Sequence, residues 1–84
     1  MNQNSPQEKK DLKPLPSGAL KSHIYSLYND IPTDWIVDFI HNDIPRLRPR
    51  SAARIKKNKK LSRPEIELIV QEFDAPAGYK KSFH

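Results

Sequence analysis

Apolar residues recur at helical spacing in three separate stretches of the chain. The first covers residues 17–29, and its apolar face consists of Leu20, Ile24, Leu27 and Tyr28. These positions follow i, i+4, i+7 and i+8, which is one face of a helix. Ser17 is a candidate N-cap, and Pro32 lies just beyond as a stop signal. The pattern predicts an amphipathic helix.

The second stretch covers residues 33–42, and its apolar residues are Trp35, Ile36, Val37, Phe39 and Ile40. Thr33 or Asp34 is a candidate cap at its start. Trp35 has the largest apolar surface in the chain, so we expect it to anchor the core. The motif Asn-Asp-Ile-Pro occurs at residues 29–32 and again at 42–45. Because Asn favours a helix C-terminus and Pro stops a helix, each copy is predicted to close one.

The third stretch covers residues 63–74, and its apolar face consists of Ile66, Ile69, Val70 and Phe73. Ser62 and Glu65 have the S-x-x-E spacing of a capping box, and Pro64 is tolerated in a first turn. A fourth, shorter helix is possible over residues 51–58. Its apolar face is small, so we expect it to be weakly held without a partner.

Together these patterns predict an all-α fold, a small domain of three to four helices. The predicted core is Leu20, Ile24, Leu27, Trp35, Ile36, Phe39, Ile40, Ile66, Ile69, Val70 and Phe73. Residues 1–16 are polar and rich in Pro, which predicts a disordered N-terminal arm. The helical domain is expected to cover residues 17–75. Residues 76–84 form a short C-terminal tail, in which Tyr79 and Phe83 are able to contact the core.

Composition limits the chain to one small domain. Only 36% of its 84 residues are hydrophobic, and there is no cysteine for a disulfide or a cysteine-based zinc site. A core this small is one that a homodimer or a partner can complete. No apolar run approaches the roughly 18 residues of a membrane span, and no signal-peptide pattern opens the chain. We therefore expect either a cytoplasmic protein associated with the nucleoid or a nuclear protein, with no membrane partner.

Charge is distributed very unevenly. Residues 46–63, called here the basic segment, contain no carboxylate and nine cations, namely Arg46, Arg48, Arg50, Arg54, Lys56, Lys57, Lys59, Lys60 and Arg63. The chain has 15 Lys and Arg and 10 Asp and Glu, so 6 cations and all 10 carboxylates lie elsewhere. The basic segment is thus +9 and the remainder −4. Like charges at this density indicate an anionic partner, and a nucleic-acid backbone matches them well.

Within the basic segment, two patterns suit different contacts. Residues 46–50 alternate Arg with spacers and include Pro49, which suggests an extended arm that enters a minor groove. Residues 56–60 are a dense lysine cluster suited to phosphates. It also matches a simple nuclear-import signal, a pattern of low specificity. No aromatic residue lies between Phe39 and Phe73, so base stacking is poorly supported and duplex DNA is favoured over single strands, with RNA an alternative.

A helix-turn-helix is compatible with helices at 51–58 and 63–74, but the charges oppose its usual version. The last helix carries Glu65, Glu67, Glu72 and Asp74. These carboxylates would repel phosphate, whereas a recognition helix presents cations or amides. The acidic helix is better placed to face the basic segment of another subunit.

Nothing in the sequence supports catalysis or a cofactor. The two glycines form no phosphate-binding loop, and His23, His41 and His84 are scattered without metal-ligand spacing. Asp34 and Asp38 lie four residues apart, but two carboxylates alone make a weak metal site. We therefore expect a protein that is not an enzyme.

The leading hypothesis is a small DNA-binding regulator or accessory factor that contacts the phosphate backbone through the basic segment. The alternative is a protein-interaction adaptor or inhibitor whose basic face docks on an acidic partner. A third, weaker hypothesis is a ribosome-associated or RNA-packaging protein, which would prefer A-form duplexes.

Overall fold

A computed structural model describes residues 12–84. In chain order its elements are β1 (Gly18–Leu20), α1 (Lys21–Leu27), α2 (Thr33–Asp38), a π-helical turn (Phe39–Asp43), α3 (Ile44–Leu47), a 3-10 turn (Pro49–Ser51), α4 (Ala52–Lys57), β2 (Lys60–Ser62) and α5 (Arg63–Phe73). The domain is therefore mostly helical, as the periodicity predicts. The all-α prediction needs one correction, because β1 and β2 form a small sheet. The short helix predicted near residues 51–58 is present as α4.

The two strands pair antiparallel across a long sequence separation. Gly18 lies opposite Ser62, Ala19 opposite Leu61 and Leu20 opposite Lys60. Ala19 and Leu61 are both buried, while Leu20 remains 51% exposed. The helix predicted to begin at Ser17 therefore begins four residues later, at Lys21, after an extended segment. The prediction that Leu20 belongs to the core is therefore wrong, because a strand this short leaves no detectable period of two in the sequence.

The second helical stretch does not end at residue 42, as the Asn-Asp-Ile-Pro motif predicts. It continues through the π-helical turn and α3 to Leu47. In a regular α-helix the ring of Pro45 would clash with the carbonyl of His41. The π-helical turn removes this conflict, because the Ile44 amide donates to the carbonyl of Phe39, five residues back. The helix finally ends before Pro49, which disfavours helical backbone at Arg48.

Seven of the predicted core residues are buried, namely Ile24, Ile36, Phe39, Ile40, Ile66, Ile69 and Val70. Leu27 and Phe73 are partly buried against them. Trp35 is 63% exposed, so its predicted role as the anchor of the core is wrong. It lies about 100° around the helix from Ile36, at the edge of the apolar face rather than its centre. The buried residues that the prediction omitted are Leu15, Ala19, Tyr28, Ile44, Ile55 and Leu61.

The segments at the two ends of the described chain contact each other. The Lys13 amide donates to the Gly78 carbonyl at 3.0 Å, and the Leu15 amide donates to the Ser82 carbonyl at 2.8 Å. Leu15 is buried, so the predicted disordered arm differs from the structure at residues 12–16; the rest of that arm lies outside the described residues. In the C-terminal tail, Tyr79 and Phe83 pack against the core, the contact that the sequence allowed.

No helix in residues 12–84 has the length and apolar character needed to cross a lipid bilayer.

Candidate nucleic-acid interface

The nine cations of the basic segment lie on a continuous run of short elements. Arg46 is on α3, Arg48 follows it, and Arg50 is in the 3-10 turn. Helix α4 carries Arg54, Lys56 and Lys57; Lys59 precedes β2, Lys60 is in β2, and Arg63 begins α5. Eight of these residues are exposed and Arg48 is half-buried. The fold therefore presents the predicted site residues to solvent.

Only two of these cations pair with a carboxylate of the described chain. Arg46 Nη2 lies 2.9 Å from Asp43 Oδ1, and Arg54 Nε lies 3.5 Å from Glu65 Oε2. Within residues 12–84 the other seven have no carboxylate within 4.0 Å. The acidic remainder of the described chain thus leaves most of the basic segment unneutralised.

The arginine-rich part of the segment is not an extended arm. Arg46 and Leu47 belong to α3, and Pro49–Ser51 form a 3-10 turn. Only Arg48, with φ −139° and ψ 84°, has a non-helical backbone in this stretch. The backbone is therefore a compact helical corner, and the expected arm is wrong for this structure.

The lysine-rich part is mounted on an anchored helix. Ile55 is 1% exposed and fixes α4 to the core. Its carbonyl also accepts a 2.6 Å hydrogen bond from Lys21 Nζ. These two contacts fix α4 to the rest of the domain, which its small apolar face alone would do only weakly. Lys56 and Lys57 are thereby held on the solvent-exposed side of the helix.

Glu65, two residues beyond the basic segment, contacts three parts of it, the 3-10 turn at Ser51, α4 at Arg54 and β2 at Ser62. Its side chain is 1% exposed and accepts a 2.7 Å hydrogen bond from the Ser62 amide, within the predicted capping box. Burial acts to raise the pKa of Glu65, but hydrogen bonds from Ser51 and Ser62 and the nearby Arg54 outweigh it, and the pKa is lowered. Of the four carboxylates predicted to repel phosphate on the last helix, Glu65 is thus the one that is buried, and it pairs with Arg54.

A shallow depression of about 350 Å³ adjoins the lysine cluster, and sequence reasoning missed it. Its lining includes Leu20, Lys21, Tyr25, His41 and Lys59. Lys21 Nζ lies 3.1 Å from His41 Nε2, and His41 Nδ1 lies 3.1 Å from the Val37 carbonyl. With its proton on Nδ1, the imidazole donates to that carbonyl and accepts from Lys21.

Burial lowers the pKa of Lys21, and the charge of Glu65 opposes that shift. Burial raises the pKa of Tyr25. In this depression the Tyr25 ring lies near the cations Lys21 and Lys59, although Tyr25 and Lys59 are far apart in the sequence. Only the pairing of β1 with β2 reveals their proximity.

The carboxylates of α5 other than Glu65 lie at the surface, and Glu67 lines a depression together with Arg48 of the basic segment. Glu67 and Glu72 are exposed, and Asp74 pairs with Lys81 at 2.6 Å. Residues 58–62 between α4 and α5 include β2, so the connection is not the tight turn of a helix-turn-helix.

At the start of α5, the guanidinium of Arg63 lies 4.5 Å from the centroid of the Phe83 ring. This cation–π contact joins the basic segment to the C-terminal tail.

Within residues 12–84, no three His, Asp or Glu side chains come together as metal ligands would. Comparison of the chain with protein-family models, with curated proteins and with solved structures finds no match.

Proposed function

We propose that this protein binds duplex nucleic acid, with DNA the favoured form, and acts as a small regulator or accessory factor. The observation that carries the proposal is that most cations of the basic segment have no carboxylate of the described chain beside them. Seven exposed or half-buried cations of the basic segment have no carboxylate within 4.0 Å in the described chain. Such a surface gains affinity by releasing the counterions condensed on a phosphate backbone.

The lysine cluster at residues 56–60 is the proposed phosphate contact. Lys56, Lys57, Lys59 and Lys60 are all exposed, and they border the junction between α4 and β2. Lysine ammonium groups act as point charges that satisfy phosphates without reading a base sequence. The interface therefore favours backbone binding with low sequence specificity.

The charges also define the direction of approach. Glu67 and Glu72 are exposed on α5 and would repel a backbone lying along that helix. The nucleic acid is expected to contact the surface of α4 and β2 and the start of α5 at Arg63, rather than to lie along α5.

The test is a fluorescence-anisotropy titration with labelled duplex DNA, single-stranded DNA and duplex RNA at several salt concentrations. If five or six phosphates are contacted, the plot of log K against log salt has a slope of about −5 for duplex DNA. The double variant Lys56→Gln/Lys57→Gln is expected to bind more weakly and to reduce the magnitude of that slope by about 2.

The matched control is Lys80→Gln/Lys81→Gln, which removes the same charge from exposed positions outside the basic segment. It is expected to leave the slope nearly unchanged. Equal losses in both variants, or no affinity for any nucleic acid at low salt, would overturn the proposal. Tighter binding to A-form RNA would redirect it to the RNA-packaging class, and nuclease-resistant capture of one acidic protein would favour the adaptor hypothesis.

A further inference from the structure

A groove with acidic edges adjoins the start of the basic segment, because Asp43 in its lining pairs with Arg46. The groove has a volume of about 500 Å³ and is lined by Asp34, Trp35, Asp38, Phe39, Asp43, Glu72 and Phe73. The Phe39 and Phe73 rings meet edge to face, with centroids 5.5 Å apart at an interplanar angle of 81°. They give the groove an aromatic base beside the exposed Trp35 indole.

Trp35 contributes little to the core of the described chain, since 63% of its surface is exposed. A large aromatic side chain left in water beside other apolar surface marks an interaction site more often than an isolated exposed apolar residue does. Burying such a ring against a partner makes a typical binding hot spot.

The carboxylates define the charge of the occupant. Asp43 is paired with Arg46 at 2.9 Å, and Asp38 accepts a 2.6 Å hydrogen bond from Asn42. Asp34 and Glu72 have no cation within 4.0 Å in residues 12–84. The groove therefore favours a segment that offers both an apolar side chain and cations, and arginine suits it best because a guanidinium stacks on an indole while it pairs with a carboxylate.

The chain itself contains a segment with this chemistry at the helical corner of residues 47–50. Leu47 is 59% exposed, Arg50 is exposed, and neither Arg48 nor Arg50 has a carboxylate within 4.0 Å in the described chain. We propose that the Trp35 groove is the docking site for residues 47–50 of a second copy of this chain. Leu47 would contact the aromatic base, and the two arginines would meet Trp35, Asp34 and Glu72.

A symmetric pair satisfies both contacts at once. Trp35 and Leu47 lie on one continuous helical run, separated by about 18 Å at 1.5 Å per residue. A two-fold axis between them would place each groove against the corner of the partner, which closes the assembly at a dimer. Arg48 and Arg50 also belong to the basic segment, but the lysine cluster at residues 56–60, the proposed phosphate contact, takes no part in the dimer, so the inference does not depend on nucleic-acid binding.

Sedimentation velocity over a range of protein concentrations, without nucleic acid, tests the proposal. The wild-type chain is expected to form a dimer that weakens as salt is raised. Because the chain has one Trp, its emission should shift to shorter wavelength as Trp35 becomes buried on association. Trp35→Ala is expected to raise the dimer dissociation constant about thirty-fold. Leu20→Ala, which truncates another exposed apolar side chain, is the control and should change it little.

A charge exchange distinguishes docking of a second copy from a general loss of solubility. Arg50→Glu and Glu72→Arg should each weaken the dimer, and the double variant should recover a substantial part of the loss. Circular dichroism of each variant reports whether it folds. A chain that stays monomeric at every concentration would overturn the proposal, as would equal effects of Trp35→Ala and Leu20→Ala among folded variants. Lys56→Gln/Lys57→Gln should leave dimerisation intact, which separates this outcome from failure of nucleic-acid binding.

Discussion

Replacement of Glu65 by Ala is expected to be strongly destabilising. It removes the side-chain half of the capping box, a contribution of about 1 kcal/mol. It also removes the acceptor for the buried Ser51 hydroxyl, and an unsatisfied buried group costs about 1–3 kcal/mol. The Arg54 pair adds little, since it is 3.5 Å long and Arg54 is 46% exposed. These contributions overlap, and the expected loss in the free energy of unfolding is about 3 kcal/mol.

The assay is urea unfolding followed by far-UV circular dichroism. For a domain of this size, 3 kcal/mol corresponds to a fall in Tm of roughly 10–20 °C. Glu65→Gln keeps one acceptor oxygen and should lose less than Glu65→Ala. Glu67→Ala is the control, because Glu67 is exposed on the same helix and its loss should stay within about 0.5 kcal/mol.

The pH dependence of unfolding provides an independent check on the same carboxylate. The pKa of Glu65 is lower in the folded protein than its ordinary value of 4.5. The folded state therefore binds fewer protons at this site, and the resulting stability is present above pH 4.5 and is lost as the pH falls through the folded pKa. The difference in stability between wild type and Glu65→Gln should shrink in that acidic range. Equal stability of Glu65→Ala and Glu67→Ala, or a difference that does not change with pH, would refute the assignment of Glu65 as a buried, ionised acceptor.

Three further outcomes follow from contacts elsewhere in the domain. Tyr28 Oη donates to the Asp74 carbonyl at 2.5 Å, so Tyr28→Phe should lower the unfolding free energy by about 1 kcal/mol in urea. Burial, with the charges of Asp74 and Asp30, raises the pKa of Tyr28 to about 12. The stability that the neutral phenol provides is therefore complete below pH 10 and is lost as the pH rises to about 12. An ultraviolet titration of wild type and of Tyr28→Phe checks this pKa. Asp74 has φ 70° and ψ 175°, a conformation almost restricted to glycine, so Asp74→Gly should raise the Tm, and an unchanged or lower Tm would contradict a strained backbone there. Lys21→Met removes the donor to the Ile55 carbonyl and should speed hydrogen exchange in α4 more than in α5.

The three apolar stripes predict the helical character of the domain because each repeats over several turns. Ile24, Ile36 and Ile69 are buried where their spacing places them. Two kinds of feature escape such reasoning. A three-residue strand has no measurable period, so β1 and β2 are invisible until their pairing is known. A π-helical turn shifts the register by one residue, which is why Pro45 appears to end a helix that in fact continues through it.

The sequence predicts which residues form the candidate site, but not which carboxylates lie near them in the fold. The density of cations along residues 46–63 is a property of composition, and it identifies the cations without any fold. Which carboxylates approach them depends on long-range packing. Glu65 lies two residues beyond the basic segment and would be counted as surface charge, yet it is buried and hydrogen-bonded to Ser51 and Ser62. Trp35 shows the opposite error, because size favours burial while its angular position on the helix leaves it in solvent.

The small sheet has a consequence for how the chain reaches its native state. Pairing of Ala19 with Leu61 closes a loop that contains every residue between them, including most of the cations. Closing this loop lowers the conformational entropy of the chain before the strand contacts stabilise it. Assembly of the sheet is therefore expected to be a late event in folding. A protease that cuts just after Leu20 would separate the two strands into different fragments and deprive β2 of its only strand partner in residues 12–84.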